Sequence, residues 1–174
     1  MIQEEIIFTK EECKWILNSC GEFIRSGVTN DGETIEITDY RTCYEYSFIN
    51  NIGISNLLLH KLKKFNVVSL PDILTVIRYD TGEYFDSHID SGIGHEYRYK
   101  SVSIQLSEPT SYKGGTLILS APNERNEMES IASSTELGNM IMFDSYLRHE
   151  VTPTISGTRY VLVFWLRADD IIST

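Results

Sequence analysis

From Ile73 to Leu166 the chain keeps returning to one texture: short β-branched or aliphatic runs, each broken by turn-forming residues. Ile73-Leu74-Thr75-Val76-Ile77-Arg78-Tyr79 is the first. Ser101-Val102-Ser103-Ile104-Gln105-Leu106, Thr116-Leu117-Ile118-Leu119, Met140-Ile141-Met142-Phe143 and Tyr160-Val161-Leu162-Val163-Phe164-Trp165-Leu166 follow. Branching at Cβ stiffens the side chain and suits the pleated surface of a strand better than a crowded helical turn. Many short strands with turns between them fit a β-sandwich or jelly roll. The intervening segments 90–100 and 121–129 are polar and carry Gly or Asn, which assigns them to the rim of a mouth. A length of 174 residues suffices for one well-buried core, so residues 1–174 read as a single domain. Residues 1–71 would support a β core spanning 72–167.

The supporting part begins with a short strand over residues 1–8. Thr9 and Glu12 then form a capping-box signature, and Cys13, Ile16, Leu17, Cys20 and Ile24 recur at helical spacing, so this helix should turn them to the core. Asn30-Asp31-Gly32 is a turn signal, and residues 33–49 alternate as strands do before Asn50-Asn51 interrupts them. A second helix is expected from Ser55 to Lys64, with Leu57, Leu58, Leu62 and Phe65 inward and Lys61, Lys63 and Lys64 on a solvated face. His60 in that helix has no acidic or histidine neighbour at ligand spacing and reads as a surface histidine.

Charge and cysteine usage narrow the partners. Acidic residues number 25 against 15 Lys and Arg, a net charge of −10 that repels a phosphate backbone and disfavours nucleic acid. Cys13, Cys20 and Cys43 make neither a disulfide framework nor a zinc spacing, which fits reduced thiols. The N-terminus Met1-Ile2-Gln3-Glu4-Glu5 is acidic where a secretory signal is basic, and no apolar run reaches the length of a membrane span. The expectation is a soluble cytoplasmic protein with no membrane partner.

The chemistry concentrates in Tyr79–Asp90, which ends in His88-Ile89-Asp90. Two residues apart on extended chain, His88 and Asp90 point to the same side, where one metal could take both. His149, about sixty residues on, is the candidate third ligand. Two imidazoles and a carboxylate on one face of an octahedral ion leave three positions open, the arrangement of non-haem iron(II) oxygenases. By itself the motif also fits a surface turn. Arg159 opens a strand otherwise lined by Val161, Val163 and Trp165, and an arginine buried there needs an anionic partner, either a carboxylate of the chain or a dicarboxylate ligand. His95, in a glycine-rich loop, reads as part of a cover over the mouth rather than as a ligand.

Read together, these residues form an ordered set. Tyr79-x-x-Gly82, His88-x-Asp90, Leu106-Ser107-Glu108-Pro109 with Tyr112-Lys113-Gly114-Gly115-Thr116-Leu117, Gly138-Asn139-Met140 with Phe143, His149-Glu150-Val151-x-Pro153, and Gly157-x-Arg159-Tyr160 with Trp165-x-Arg167 stand in that order. The set resembles the 2-oxoglutarate and iron(II)-dependent dioxygenases, and within them the prolyl-4-hydroxylase-like branch, over about Asp72 to Arg167. Arg41-Thr42-Cys43 is similar to an Arg-Thr-Ser that this branch carries upstream.

The resemblance implies a mainly β fold with flanking helices (α+β), a double-stranded β-helix of jelly-roll, cupin-like type with N-terminal helices packed on one sheet. It implies His88, Asp90 and His149 as iron ligands at the catalytic centre. Arg159 would grip the distal carboxylate of 2-oxoglutarate, assisted by the Tyr79 hydroxyl, and Arg98, Trp165 and Arg167 would face the substrate. Fe(II), 2-oxoglutarate and O2 are the implied cofactors and co-substrates, with ascorbate as an accessory reductant. The implied reaction hydroxylates an unactivated C–H bond in a prolyl or other amino-acid side chain of a protein, peptide or small molecule, releasing succinate and CO2. Substrate loops would be those around residues 26–50 and 91–100. Two departures leave prolyl specificity open: Arg159 stands where collagen-type prolyl hydroxylases commonly carry lysine, and Phe85 where they carry tyrosine. The stretch Leu106–Leu117 is more similar to a bacterial and phage subgroup. Retention of Asp90 disfavours a halogenase. The competing readings are a non-catalytic metal-binding jelly-roll module and a nucleic-acid oxidative demethylase. The latter carries a second arginine six positions after the first, where Trp165 stands here.

Overall fold

The structure, a computed structural model, describes residues 2–30, 33–35 and 40–172. The tip of the expected Asn30-Asp31-Gly32 turn and residues 36–39 of the expected strand region lie outside the described residues. The order is β1 (Gln3–Ile6), α1 (Lys10–Asn18), β2 (Ile24–Arg25), β3 (Val28–Asn30), β4 (Glu33–Ile35), β5 (Arg41–Thr42), β6 (Tyr44–Ile49) and α2 (Ile52–Leu62). The core continues with β7 (Ile73–Tyr79), β8 (Tyr84–His88), β9 (Lys100–Gln105), β10 (Tyr112–Gly114), β11 (Leu117–Pro122) and β12 (Met128–Ala132). It closes with β13 (Asn139–Asp144), β14 (Arg148–Val151), β15 (Thr154–Gly157) and β16 (Arg159–Leu166).

α1 starts where its capping box dictates. The Glu12 amide donates to Thr9 Oγ1 at 3.2 Å, and the Thr9 amide donates to Glu12 Oε2 at 2.7 Å, so two amides at the helix start are satisfied reciprocally. Cys13 and Ile16 are buried, and Leu17 and Cys20 pack beside them. Ile24 departs from the expectation: the helix ends at Asn18, and Ile24 lies exposed in β2 because Ser19 to Gly21 carry the chain out of helix. α2 begins three residues earlier than expected, since Asn51 caps it by accepting from the Ile54 amide at 3.1 Å. Of its lysines, Lys61 is half-buried and bridges to Glu12 at 2.8 Å, fastening α2 to α1.

Among the described residues, two sheets form the body. The larger has the order β1-β13-β9-β16-β7-β6-β2 and the smaller β12-β11-β14-β8-β5, with β10-β15 and β3-β4 as separate pairs. The period of two along each long strand sorts residues between two cores. Leu74, Val76, Met140, Met142, Leu162 and Phe164 face α1 and α2, while Ile77, Tyr79, Ile141, Phe143 and Val161 face the smaller sheet. Strands buried on both faces read as largely apolar runs, which is why β7, β13 and β16 were legible. This is a double-stranded β-helix with helices on its larger sheet.

His88 ends the second core strand, β8, reached through the turn at Asp80–Glu83, where Gly82 takes φ +89°. One placement differs from expectation. The segment 121–129 is the β11–β12 hairpin, and none of its residues lines the cavity between the sheets; 90–100 does contribute to the mouth through Asp90, His95 and Arg98.

Candidate metal centre

β8 and β14 are antiparallel neighbours, and their register sets His149 opposite His88. Asp90 lies two residues beyond β8, where the Asp90 and Ser91 amides both donate to the Ser145 carbonyl, at 2.8 and 3.0 Å. One ligand atom from each of His88, Asp90 and His149 lies within 4.8 Å of the others. His149 is buried, and the Asp90 and His88 side chains are nearly so.

Both histidines are aimed by the same local device. Nδ1 of His88 meets the carbonyl of Asp86 at 2.6 Å, and Nδ1 of His149 that of Leu147 at 2.9 Å, in each case two residues back. A proton on Nδ1, donated to that carbonyl, leaves Nε2 as a bare lone pair. Those lone pairs point at Asp90: His88 Nε2 is 3.7 Å from Oδ1 and His149 Nε2 3.4 Å from Oδ2. Acceptors that converge without a donor between them call for a cation, and this donor set fits iron(II). The electrostatics agree. Burial, with His149 alongside, pushes His88 down to about 4, so it is neutral at neutral pH. Burial alone would raise Asp90, but the influence of His149 alongside and the donors of Ser101 and Trp165 outweigh it and hold the carboxyl well below its ordinary range. The Ser101 hydroxyl donates to Asp90 Oδ2 at 2.6 Å and lies 2.9 Å from Ser145 Oγ, fixing the carboxylate's rotation.

From this cluster a cavity of about 320 Å³ runs between the sheets over Ile77, Leu117, Phe143, Val151 and Val161 to Arg159. Arg159 opens β16 opposite Tyr79 and is 5% exposed, its guanidinium 5.7 Å from the Tyr79 ring centre. Its Nε donates to Gln105 Oε1 at 3.2 Å, and the Gln105 amide donates to the Tyr112 hydroxyl at 2.8 Å. Nη1 is buried with no partner, and among the described residues no carboxylate pairs with Arg159. Among the described residues, then, the alternative of an internal ion pair finds no partner. Gly115, at φ +59°, makes room: a Cβ there would stand 3.2 Å from Arg159 Cδ and 2.9 Å from Thr154 Oγ1. Gln105, Tyr112 and Thr154 were missed from sequence, since only the sheet pairing brings them beside Arg159.

At the mouth, Arg98 lies over the Trp165 ring at 3.8 Å and both line the cavity. Arg167 does not: it is exposed, 5.4 Å over the Tyr97 ring. Another contact escaped the sequence. Phe85 stacks on His88, with centroids 3.6 Å apart and planes at 16°, and the Arg41 guanidinium lies 4.8 Å from the Phe85 ring centre.

A jelly roll holding two histidines and an aspartate at its open end, with a buried arginine deeper in, defines the class of mononuclear non-haem iron oxygenases. The family model described as the 2OG-Fe(II) oxygenase superfamily matches residues 74–167, more than half of the chain. The chain belongs to that superfamily. A PKHD-type hydroxylase of Rippkaea orientalis is 38% identical over 95 residues, covering 52% of this chain and 40% of that protein. The chain thus matches well under two-thirds of the length of that curated relative. Among solved structures, a Pseudomonas putida prolyl-4-hydroxylase matches with TM-score 0.69 at 16% identity, covering 95% of this chain and 92% of that one. A Trichoplax adhaerens prolyl hydroxylase, solved with a hypoxia inducible factor peptide fragment, matches with TM-score 0.71 at 16% identity, covering 97% and 84%. At that identity both likenesses are of fold. No helix among the described residues is long and apolar enough to cross a membrane.

Proposed function

We propose that this chain is a 2-oxoglutarate- and iron(II)-dependent dioxygenase that hydroxylates an unactivated C–H bond of a prolyl or other amino-acid unit in a protein, peptide or small molecule. The observation that carries the reading is the partnerless Nη1 of Arg159 in a cavity whose other end holds His88, Asp90 and His149. A buried guanidinium with a free donor is complementary to a carboxylate. The cavity's volume lies at the lower end of the range for small-molecule sites.

Iron(II) held by His88, Asp90 and His149, with 2-oxoglutarate and dioxygen, would supply the oxidising chemistry, with succinate and CO2 as co-products and ascorbate as a protective reductant. The chain's own residues do the rest. Asp86 and Leu147 carbonyls hold the protons on Nδ1 so that each Nε2 is free to ligate. Arg159, levelled by Gln105, orients the co-substrate's far carboxylate, and Tyr79 walls its side. Ile77, Leu117, Phe143, Val151 and Val161 exclude water from the space between. Such preorganisation confines reactivity to what reaches the mouth.

Anaerobic calorimetry with Mn(II) as the redox-silent stand-in tests the first part: 2-oxoglutarate should bind only when metal is present. Succinate formation should then require substrate and vanish in Asp90→Ala and His149→Ala. Turnover that survived either change would refute the ligand set, and absence of metal-dependent 2-oxoglutarate binding would leave a non-catalytic module.

A further inference from the structure

Once the metal and 2-oxoglutarate are accounted for, one charge in the cavity has no answer. Arg159 and the metal meet Asp90 and the two carboxylates of 2-oxoglutarate, so those charges cancel. Arg41 also lines the cavity, but Nη2 pairs with Glu45 at 3.3 Å and Nε donates to Cys43 Sγ at 3.2 Å. Arg98 is different. It lies over the Trp165 ring at 3.8 Å, Nη1 reaches only the Asp90 main-chain carbonyl at 3.3 Å, and Nε is buried without a partner. No carboxylate among the described residues pairs with it. His95, three residues earlier and also lining the cavity, has a buried Nδ1 with no partner. A cation and an imidazole with unmet hydrogen-bonding capacity thus lie together beside the metal ligands, in a chain whose overall charge is −10. Leaving donors dry and unpaired is costly, and an arginine braced on an indole face is preorganised for a planar anion.

We infer that the substrate carries a carboxylate, taken by Arg98 with His95 beside it, while its reacting carbon lies at the metal. This rests on the function proposed above and narrows its substrate to an acidic one. The carboxylate is either the α-carboxylate of an amino acid or chain end, or the side chain of an acidic residue. Both are planar anions, and the same fork reads either.

The probe is the Trp165 fluorescence of a Trp15→Phe chain, which leaves Trp165 as its single indole. Trp15 is 44% exposed on α1, away from the cavity. N-acetyl amino acids and their amides are titrated anaerobically with saturating Mn(II), with and without 2-oxoglutarate. An α-carboxylate site shows as an acid binding about tenfold or more tightly than its own amide. A side-chain site shows instead as the Asp or Glu amide outbinding the Asn or Gln amide. Arg98→Gln should erase the preference, and Arg98→Lys should keep part of it. No acid preference anywhere in the panel, whether because both forms bind or neither does, overturns the inference, as does a preference that survives Arg98→Gln. Loss of Mn(II)-dependent 2-oxoglutarate binding is scored separately, and counts against the function rather than against the acid preference.

Discussion

Arg159→Met separates what this arginine does for the fold from what it does for the ligand. Methionine keeps the aliphatic reach past Gly115 and removes the charge and its donors. In the ligand-free protein Arg159 donates from Nε to Gln105, interacts with the Tyr112 hydroxyl, and has a buried Nη1 with nothing to bond. The lost bond costs about 1 kcal/mol, and relief from keeping a dry charge offsets a comparable amount. Stability should therefore stay within about 1 kcal/mol of wild type, or about 2–4 °C in Tm for a chain of this size. Binding should respond quite differently. Removing one member of a buried charge pair costs about 2–5 kcal/mol, or roughly thirty-fold to several-thousand-fold in Kd. Thermal melts of the metal-free protein and anaerobic calorimetry with Mn(II) and 2-oxoglutarate read the two effects separately. A Tm lower by more than about 10 °C would show that the arginine is structural and its bonding satisfied. A 2-oxoglutarate affinity reduced less than about fivefold would show that the carboxylate is held elsewhere.

Three further outcomes follow from the geometry. Phe85→Leu removes the ring stacked on His88 and should weaken Mn(II) binding on the order of tenfold by calorimetry while leaving Tm nearly unchanged; unaltered affinity would make the stack incidental. Gly115→Ala forces a side chain into φ +59° and against Thr154 Oγ1 and Arg159 Cδ, so it should destabilise by about 1–2 kcal/mol and weaken 2-oxoglutarate more than metal, as denaturant titration and calorimetry would show. The metal-free protein should lose stability as pH falls from 6.5 towards 4. Over that window the unfolded chain protonates His88 while the folded one, with its pKa pushed down to about 4, does not; urea midpoints should fall less steeply in His88→Asn, and an identical slope would contradict the shift.

The sequence spoke most clearly where burial is two-sided. β7, β13 and β16 lie between the helices and the smaller sheet, so most of their positions are apolar and the run is visible without any pairing information, whereas β9 shows itself by alternating Ser101 and Ser103 with Val102 and Ile104. β8 was hidden because it is half-exposed and spells Tyr-Phe-Asp-Ser-His, which follows no clean alternation. β10, β12, β14 and β15 are short or lie at sheet edges, where polar residues suffice. At the site, His88, Asp90, His149 and Arg159 were legible because few side chains do what they do. Their neighbours were not: Gln105, Tyr112 and Thr154 become partners or neighbours of Arg159 only through strand register, and Phe85 needed a ring plane to declare its contact.

The seam between β8 and β14 is irregular. Its register holds His149 opposite His88 and Val151 opposite Phe85, with an irregularity between, and among the described residues β8 pairs on its other side with the two-residue β5. The imidazoles stand astride that seam, ring centres 4.2 Å apart. An ion bound to both therefore acts as a rivet through an irregular joint of the smaller sheet. Amide exchange along Tyr84–His88 becomes a gauge of occupancy, slowing when the ion is seated and quickening when a chelator withdraws it.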